Sequence, residues 1–476
     1  MKRFLLIITL LSVVYIIPNP LNAQKPGKDF FAGRRAELYN KMNDGVLLLE
    51  GNKSSIRRNS DSPERQDDNF WYLTGYSNPD AYCIIAPKAE KKFILFIKKV
   101  RVYTRPGSNA PQRDFLKEAM DTYGADTVYF ADDLEKTAKR YIENEKKVYC
   151  SILDKDLYSI ASKYTKDEGG SKNIKIMDPV QPIAEARVIK SPEEINWLEK
   201  AADITTKAEI EAMKGAKPGL NEKIIEAIID YVYKTNWASG FGFESIVGSG
   251  PNSLVLHYMD NDQVMKDGTV CVMDIGAAYN GYSADITRTI PVNGKFTPPQ
   301  KDIYSAVLRV QKEAIKLFKT GTLPNKIETD VANMLRDELY KLGLVTDKNT
   351  IWQYRIWYTH GCSHSIGLDV HDATPMSYYK EGLKPGMVFT IEPGLYVSET
   401  SLDNLTNRRF MNVSEKELKD FIEKVRPVAK KYNNIGVRIE DDVLITPEGN
   451  KVITSKCPKE IADVEKTMKQ KSRFVD

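Results

Sequence analysis

The stretch THGCSHSIGLDVHD, Thr359 to Asp372, holds His360, His364 and His371, three of the four histidines in a chain of 476 residues. Imidazole binds borderline metals and carries protons near neutral pH, so gathering it in one place points to chemistry. The fourth histidine, His257, closes the motif VGSGPNSLVLHY upstream. Four acids occupy positions where a core belongs: Asp274 and Asp285 in TVCVMDIGAAYNGYSADITRT (Thr269 to Thr289), Glu392 in MVFTIEPGLY and Glu440 in GVRIEDDVLIT. An uncompensated carboxylate inside a protein costs several kcal/mol at the least, so something positive must sit among them. Two divalent cations balance the sum: −4 from the acids meets +4, and a bridging hydroxide leaves −1. Carboxylates with one imidazole suit Mn²⁺ and tolerate Co²⁺, Zn²⁺ or Fe²⁺. Taken singly, each residue has a plainer reading, an Asp in a Gly-rich turn being a turn-former and His360 with His364 an i, i+4 helix pair. Gly361, Gly367 and the neighbouring β-branched residues oppose a helix there.

These residues need elements to hold them. Asn280-Gly281 is a hairpin turn signal between two apolar strands. With those two residues at the turn, Asp285 pairs with Gly276, and Asp274 becomes its diagonal neighbour on the same face. A one-residue slip would put the two acids on opposite faces. Ser191, Pro192 and Glu194 form a capping box with proline at the first helical position, which starts a helix running to about Lys214. Asn221 caps the next, whose Ile225, Ile228, Ile229 and Val232 share one face. Further helices fit Pro299 to Phe318 and Ile327 to Leu342. In the first half, GVLLLEG (Gly45 to Gly51), YCIIAP (Tyr82 to Pro87), FILFI (Phe93 to Ile97) and TVYFA (Thr127 to Ala131) read as buried strands between helix-like stretches. The fold class is therefore an α/β N-terminal domain followed by an α+β domain, with the boundary at Arg187: residues 24–186, then 187–476.

Composition excludes other classes. The formal charge of +4 falls by two if Lys2 and Arg3 are removed, which gives no argument for nucleic acid. Met1 to Gln24 reads as a secretory signal, residues 1–23 with cleavage after Ala23, because the apolar run Phe4 to Ile17 is short of the roughly 20 residues of a spanning helix. Export, to the periplasm or beyond, is the expectation, with no stable membrane anchor. The five cysteines, Cys83, Cys150, Cys271, Cys362 and Cys457, are odd in number and widely spaced, which favours buried free thiols and leaves room for one disulfide.

In order along the chain, VGSGPNSLVLHY, MDIGAAYNGYSADITRTIPVNGKFT, HGCSHSIGLDVHD, TIEPGLY and GVRIEDDVLIT resemble the creatinase, prolidase and aminopeptidase P family of pita-bread metallopeptidases, and most nearly its aminopeptidase P branch. RRAELYNKM (Arg34 to Met42) and RQDDNFWYLTGYSNPDAYCIIAP (Arg65 to Pro87) resemble that family's creatinase-like N-terminal domain. The resemblance implies that Asp274 chelates one metal, that His364 and Glu392 hold the other, and that Asp285 and Glu440 bridge them. It implies that His257, His360 and His371 contact substrate, that Arg438 lies near the site, and that Glu392 shuttles a proton. The implied reaction is attack by a dimetal-bridging hydroxide that frees the first residue of a peptide with proline second. A prolidase with the same metals and a non-catalytic pita-bread binding module are the rival readings; a creatinase-type enzyme without metal is disfavoured because every ligand position is filled. A homo-oligomer, dimer or tetramer, is also implied. Two departures stand out: the polar segment Ser398 to Asn434 is long for the family and is expected on the surface at the cleft rim, and Val100 to Asn109 lacks a tryptophan, with Tyr103 as the candidate substitute.

Overall fold

The computed structural model describes residues 26–475 except 43, 55–64, 100–113, 166–173, 404 and 406–412. The leader expected at 1–23 and the Val100–Asn109 stretch with Tyr103 fall outside the described residues.

Apolar runs in the first half form strands buried on both faces. β1 (Val46–Glu50), β2 (Tyr82–Ile85), β3 (Phe93–Ile97), β4 (Thr127–Phe130), β5 (Lys147–Tyr149) and β6 (Lys175–Met177) make one mixed sheet in the order β4-β3-β2-β1-β5-β6. Alternation divides β3: Leu95 and Ile97 face one core with Phe70 and Leu73, while Ile94 and Phe96 face another with Ala138 and Leu157. The α/β reading of this half holds.

The second half opens with the helix Pro192–Gly215, whose Ser191/Glu194 capping box is present in full. Asn221 caps the helix Glu222–Thr235 as expected, and Ile225, Ile228, Ile229 and Val232 are buried. β7 (Gly240–Phe241), β8 (Ile246–Ser249), β9 (Val270–Ile275), β10 (Ala277–Tyr279), β11 (Tyr282–Ser283) and β12 (Ile286–Pro291) form two sheets, β11-β10-β7 and β12-β9-β8. Helices Pro298–Leu317 and Pro324–Leu342 follow. Then β13 (Val388–Ile391), β14 (Gly394–Val397), β15 (Ile435–Arg438), β16 (Asp441–Thr446) and β17 (Gly449–Val452) make the sheets β13-β16-β17 and β14-β15. This is the α+β, pita-bread arrangement expected of the second domain.

The hairpin register is the one the turn residues predict. Asn280 and Gly281 take positive φ of 49° and 85°, Tyr279 pairs with Tyr282, and Thr287 stands opposite Asp274. Gly276 lies between the two acids where the sheets diverge, and a Cβ there would press into the Ala284 carbonyl oxygen and the Phe243 ring. Gly276→Ala is expected to cost about 2 kcal/mol of stability and to displace Asp285; urea unfolding together with metal titration measures both effects.

The segment Ser398–Asn434 departs from expectation. It is anchored as well as surface-lying: the helix Glu415–Lys431 buries Phe421, Val425 and Ala429, and Phe421 meets Trp352 edge-on at 4.8 Å. A polar composition hid the apolar stripe that docks it. All five cysteines are buried and free.

Candidate metal centre

Each acid is delivered by a strand end. Asp274 lies within β9, Asp285 just before β12, Glu392 just after β13 and Glu440 between β15 and β16. The histidine loop is laced to β13: Thr390 N donates to the His364 carbonyl at 2.9 Å, and Glu392 N donates to the Cys362 carbonyl at 2.9 Å. Those bonds fix His364 beside Glu392.

Oxygens and nitrogen then converge. His364 Nε2 lies 3.6 Å from Asp285 Oδ2 and 3.5 Å from Glu392 Oε1. Asp285, His364 and Glu440 offer one ligand atom each within 4.8 Å of one another. His364 Nδ1 lies 3.1 Å from the Ser365 carbonyl, which accepts only from N–H, so Nδ1 carries the proton and Nε2 turns a lone pair toward the acids. Burial, with help from His371, lowers the His364 pKa to about 4, which keeps the ring neutral. A lone pair facing carboxylates is repulsive unless a cation lies between them. Asp274 Oδ1 and Asp285 Oδ1 are buried with no hydrogen-bond partner, a second sign that the donor set is built around positive charge.

Electrostatics agree. Burial first, then Glu440 and Asp274, push the Asp285 carboxyl well above its ordinary range. Burial and Glu392 do the same to Glu440. Glu392 is pushed up to about 8 by burial, against the pull of Arg438. Among the described residues one cation enters the cluster, Arg438, near the site as the resemblance implies. Arg438 stands 3.9 Å from Glu440, but its Nη2 donates to Asp274, Nε to Thr287 Oγ1 at 3.0 Å and Nη1 to Tyr396 Oη at 3.0 Å. So the protein supplies one positive charge against four carboxylates.

The outer histidines divide. His360 Nδ1 meets the Gly361 carbonyl at 2.7 Å and Nε2 meets Tyr396 Oη at 2.9 Å, so both nitrogens are engaged; Nδ1 also lies 3.6 Å from Glu392. Burial, then Arg438, lowers its pKa to about 4. The exposed ring of His371 packs edge-on to His364 at 4.2 Å. His257 is exposed and makes no hydrogen bond to the other site residues.

Sequence reasoning passed over Tyr396 and Thr287. Tyr396 shares a strand face with Gly394, the register partner of Arg438, so the i, i+2 spacing in TIEPGLY was the available signal. Thr287 Oγ1 donates to Glu440 Oε2 at 2.5 Å while accepting from Arg438. The acids after Glu440 are structural: Asp441 pairs with Arg288 at 2.7 Å and Lys459 at 2.6 Å, and Asp442 accepts from the Asp285 amide at 3.1 Å.

The histidine loop is also gripped from the first half of the chain. Arg187 and Lys190 reach Asp372 at 2.5 and 2.8 Å, Arg187 reaches Asp369 at 2.9 Å, and Arg65 donates to the Leu368 carbonyl.

The family model for metallopeptidase family M24 matches residues 196–447, and that for the aminopeptidase P N-terminal domain matches residues 31–149. The chain is 34% identical to a Xaa-Pro aminopeptidase of Haemophilus influenzae over 455 residues, 93% of this chain and 97% of that one. Its fold is similar to the Pseudomonas aeruginosa aminopeptidase PepP, with a TM-score of 0.78 at 30% identity over 93% of this chain and 98% of that one. It is likewise similar to a zinc-substituted Escherichia coli aminopeptidase P in complex with product, with a TM-score of 0.77 at 30% identity over 93% and 98% of the chains.

Proposed function

The chain belongs to metallopeptidase family M24, with an aminopeptidase P N-terminal domain ahead of the M24 domain, and from that premise we propose that it removes the first residue from peptides whose second residue is proline. The observation that carries this reading is the convergence of His364 Nε2 with Asp285 and Glu392 oxygens, a donor set that makes sense only around cations. Family membership implies divalent metal. In our reading Asp274 would hold one ion and His364 and Glu392 the other, with Asp285 and Glu440 serving both; the oxygen-rich set favours Mn²⁺.

Two divalent ions, when bound, supply a water-derived nucleophile at neutral pH and polarise the scissile carbonyl. The protein's own groups do the rest. Glu392, whose Oε1 lies 3.5 Å from His364 Nε2, takes and returns the proton at its Oε. Arg438 donates to Asp274 and to Tyr396, whose hydroxyl in turn meets the neutral His360 ring. His257 and His371 are the imidazoles with nitrogens free to meet substrate, and a donor to a developing oxyanion is worth about 3 kcal/mol. An X-Pro bond is a tertiary amide without an N–H, so a site that polarises the carbonyl does not need the hydrogen that ordinary proteases grip.

The test is a Mn²⁺-loaded assay with Gly-Pro and Gly-Pro-Pro. We expect glycine release from the tripeptide, loss of activity on chelation and recovery on adding Mn²⁺. Cleavage of the dipeptide alone would make the protein a prolidase, and two bound metal equivalents without cleavage of either would sink the peptidase reading. We further propose export, on the character of Met1–Ala23, and a homo-oligomeric assembly; cell fractionation and light scattering decide these.

A further inference from the structure

Beside the metal centre is a cavity of about 370 Å³ that shares His364 and His371 with it and whose other lining residues include Glu328, Tyr378, Tyr379 and Phe389. Tyr378 stacks on Phe389 at 5.3 Å, and Tyr379, 48% exposed, marks the mouth. Two carboxylates line this space. Asp372 is spent, since Arg187 and Lys190 neutralise it. Glu328 is not: among the described residues it forms no ion pair. One of its oxygens, Oε2, accepts from the Cys362 amide at 3.1 Å, which ties the helix Pro324–Leu342 to the strip that carries His364. The cavity therefore presents a carboxylate with no ion-pair partner among the described residues alongside aromatic rings, the setting in which guanidinium and ammonium groups are held by charge-assisted hydrogen bonds and ring quadrupoles.

This inference rests on the X-Pro reading above and deepens it. The carbonyl attacked belongs to the first residue, so that residue's side chain branches one bond from the reacting carbon, whereas the second residue is proline and carries no charge. A cation-accepting cavity that touches the centre therefore serves the first residue. We propose that the cavity is a subsite for a cationic side chain on the first residue, with Glu328 as the specificity-determining group, so that Arg-Pro and Lys-Pro peptides are the favoured substrate class.

The test compares Arg-Pro-Pro with citrulline-Pro-Pro on Mn²⁺-loaded enzyme. The two side chains have the same shape and differ in charge, and both peptides have the same α-amine, so their ratio reports the side chain alone. The kcat/KM ratio is expected to favour arginine by about tenfold or more and to fall to near one in Glu328→Gln, which keeps an oxygen for the Cys362 amide. Glu328→Lys is expected to reverse the preference toward Glu-Pro-Pro. Equal rates on the arginine and citrulline peptides in the parent enzyme overturn the subsite, as does a ratio that survives Glu328→Gln in a protein with unchanged melting. Failure to cleave either peptide, with metal bound, overturns the peptidase reading instead.

Discussion

Asp285→Asn is expected to abolish peptidase activity, by on the order of a thousandfold, while making the metal-free protein more stable. The loss follows from taking away an oxygen donor at the point where three ligand atoms meet, because preorganised charge at a reacting centre supplies several kcal/mol of the barrier reduction. The gain follows from the same geometry. Without metal, Asp285 is buried beside Glu440, Asp274, Asp442 and Glu392, all of one sign, and its carboxyl is held well above its ordinary range. A neutral amide at this position relieves that repulsion and the cost of burying the charge. The sign can be checked against pH. Glu392 rises from 4.5 in the unfolded chain to about 8 in the metal-free fold. Between those values the folded state binds the extra proton, so stability falls as pH rises through this window and levels off above it. Melting of the metal-free protein should therefore drop from pH 5 toward pH 8, and Mn²⁺ should remove the slope. In Asp285→Asn the thermal shift on adding Mn²⁺ should be largely lost. A variant that melts lower than its parent without metal, yet keeps the Mn²⁺ shift, would show that these acids are not held together against their own repulsion.

Asp372→Ala is expected to destabilise the fold by about 3–5 kcal/mol, because it takes the ion-pair partner from Lys190 and leaves Arg187 with Asp369 alone, both cations being buried at 4% and 3% exposure. Burial alone would push the Asp372 carboxyl up, but Arg187 and Lys190 overcome it and hold the carboxyl below its usual range. Stability from this group is thus present above the unfolded carboxylate pKa and lost as pH falls through the depressed folded value, opposite in sign to the metal-site acids. Activity should fall as well. Asp372 follows His371, its amide donates to the Ser365 carbonyl at 2.9 Å, and Ser365 Oγ donates to the Asp372 carbonyl at 2.6 Å, so the ion cluster sets the loop between the two histidines. The combined variant Arg187→Met, Lys190→Met, Asp372→Leu separates the two roles: urea unfolding should recover most of the lost stability, whereas kcat should stay low. Full recovery of kcat would show that the cluster supports the fold and does not position His371.

Sequence alone located the acids and histidines of the candidate site and much of their local setting. Carboxylates planted in apolar runs cannot be reconciled with a core unless they converge, and with Asn280-Gly281 at the turn the hairpin has one register, which sets Asp274 and Asp285 as neighbours on one face. Capping boxes and apolar stripes likewise fixed where the helices at Pro192 and Glu222 begin, because those signals lie within a few residues of one another. What only the tertiary structure decided are pairings between distant segments. Arg438 sits two residues from Glu440 yet answers Asp274; Tyr396 closes the chain of bonds from Arg438 to His360; Arg187 and Lys190 grip a loop about 180 residues away; and Glu328, beside the centre, has no ion-pair partner among the described residues. Strand and helix periodicity tells a side chain which face to take, but the identity of the group it meets depends on how sheets and helices from far along the chain are packed against that face, and no local pattern carries that information.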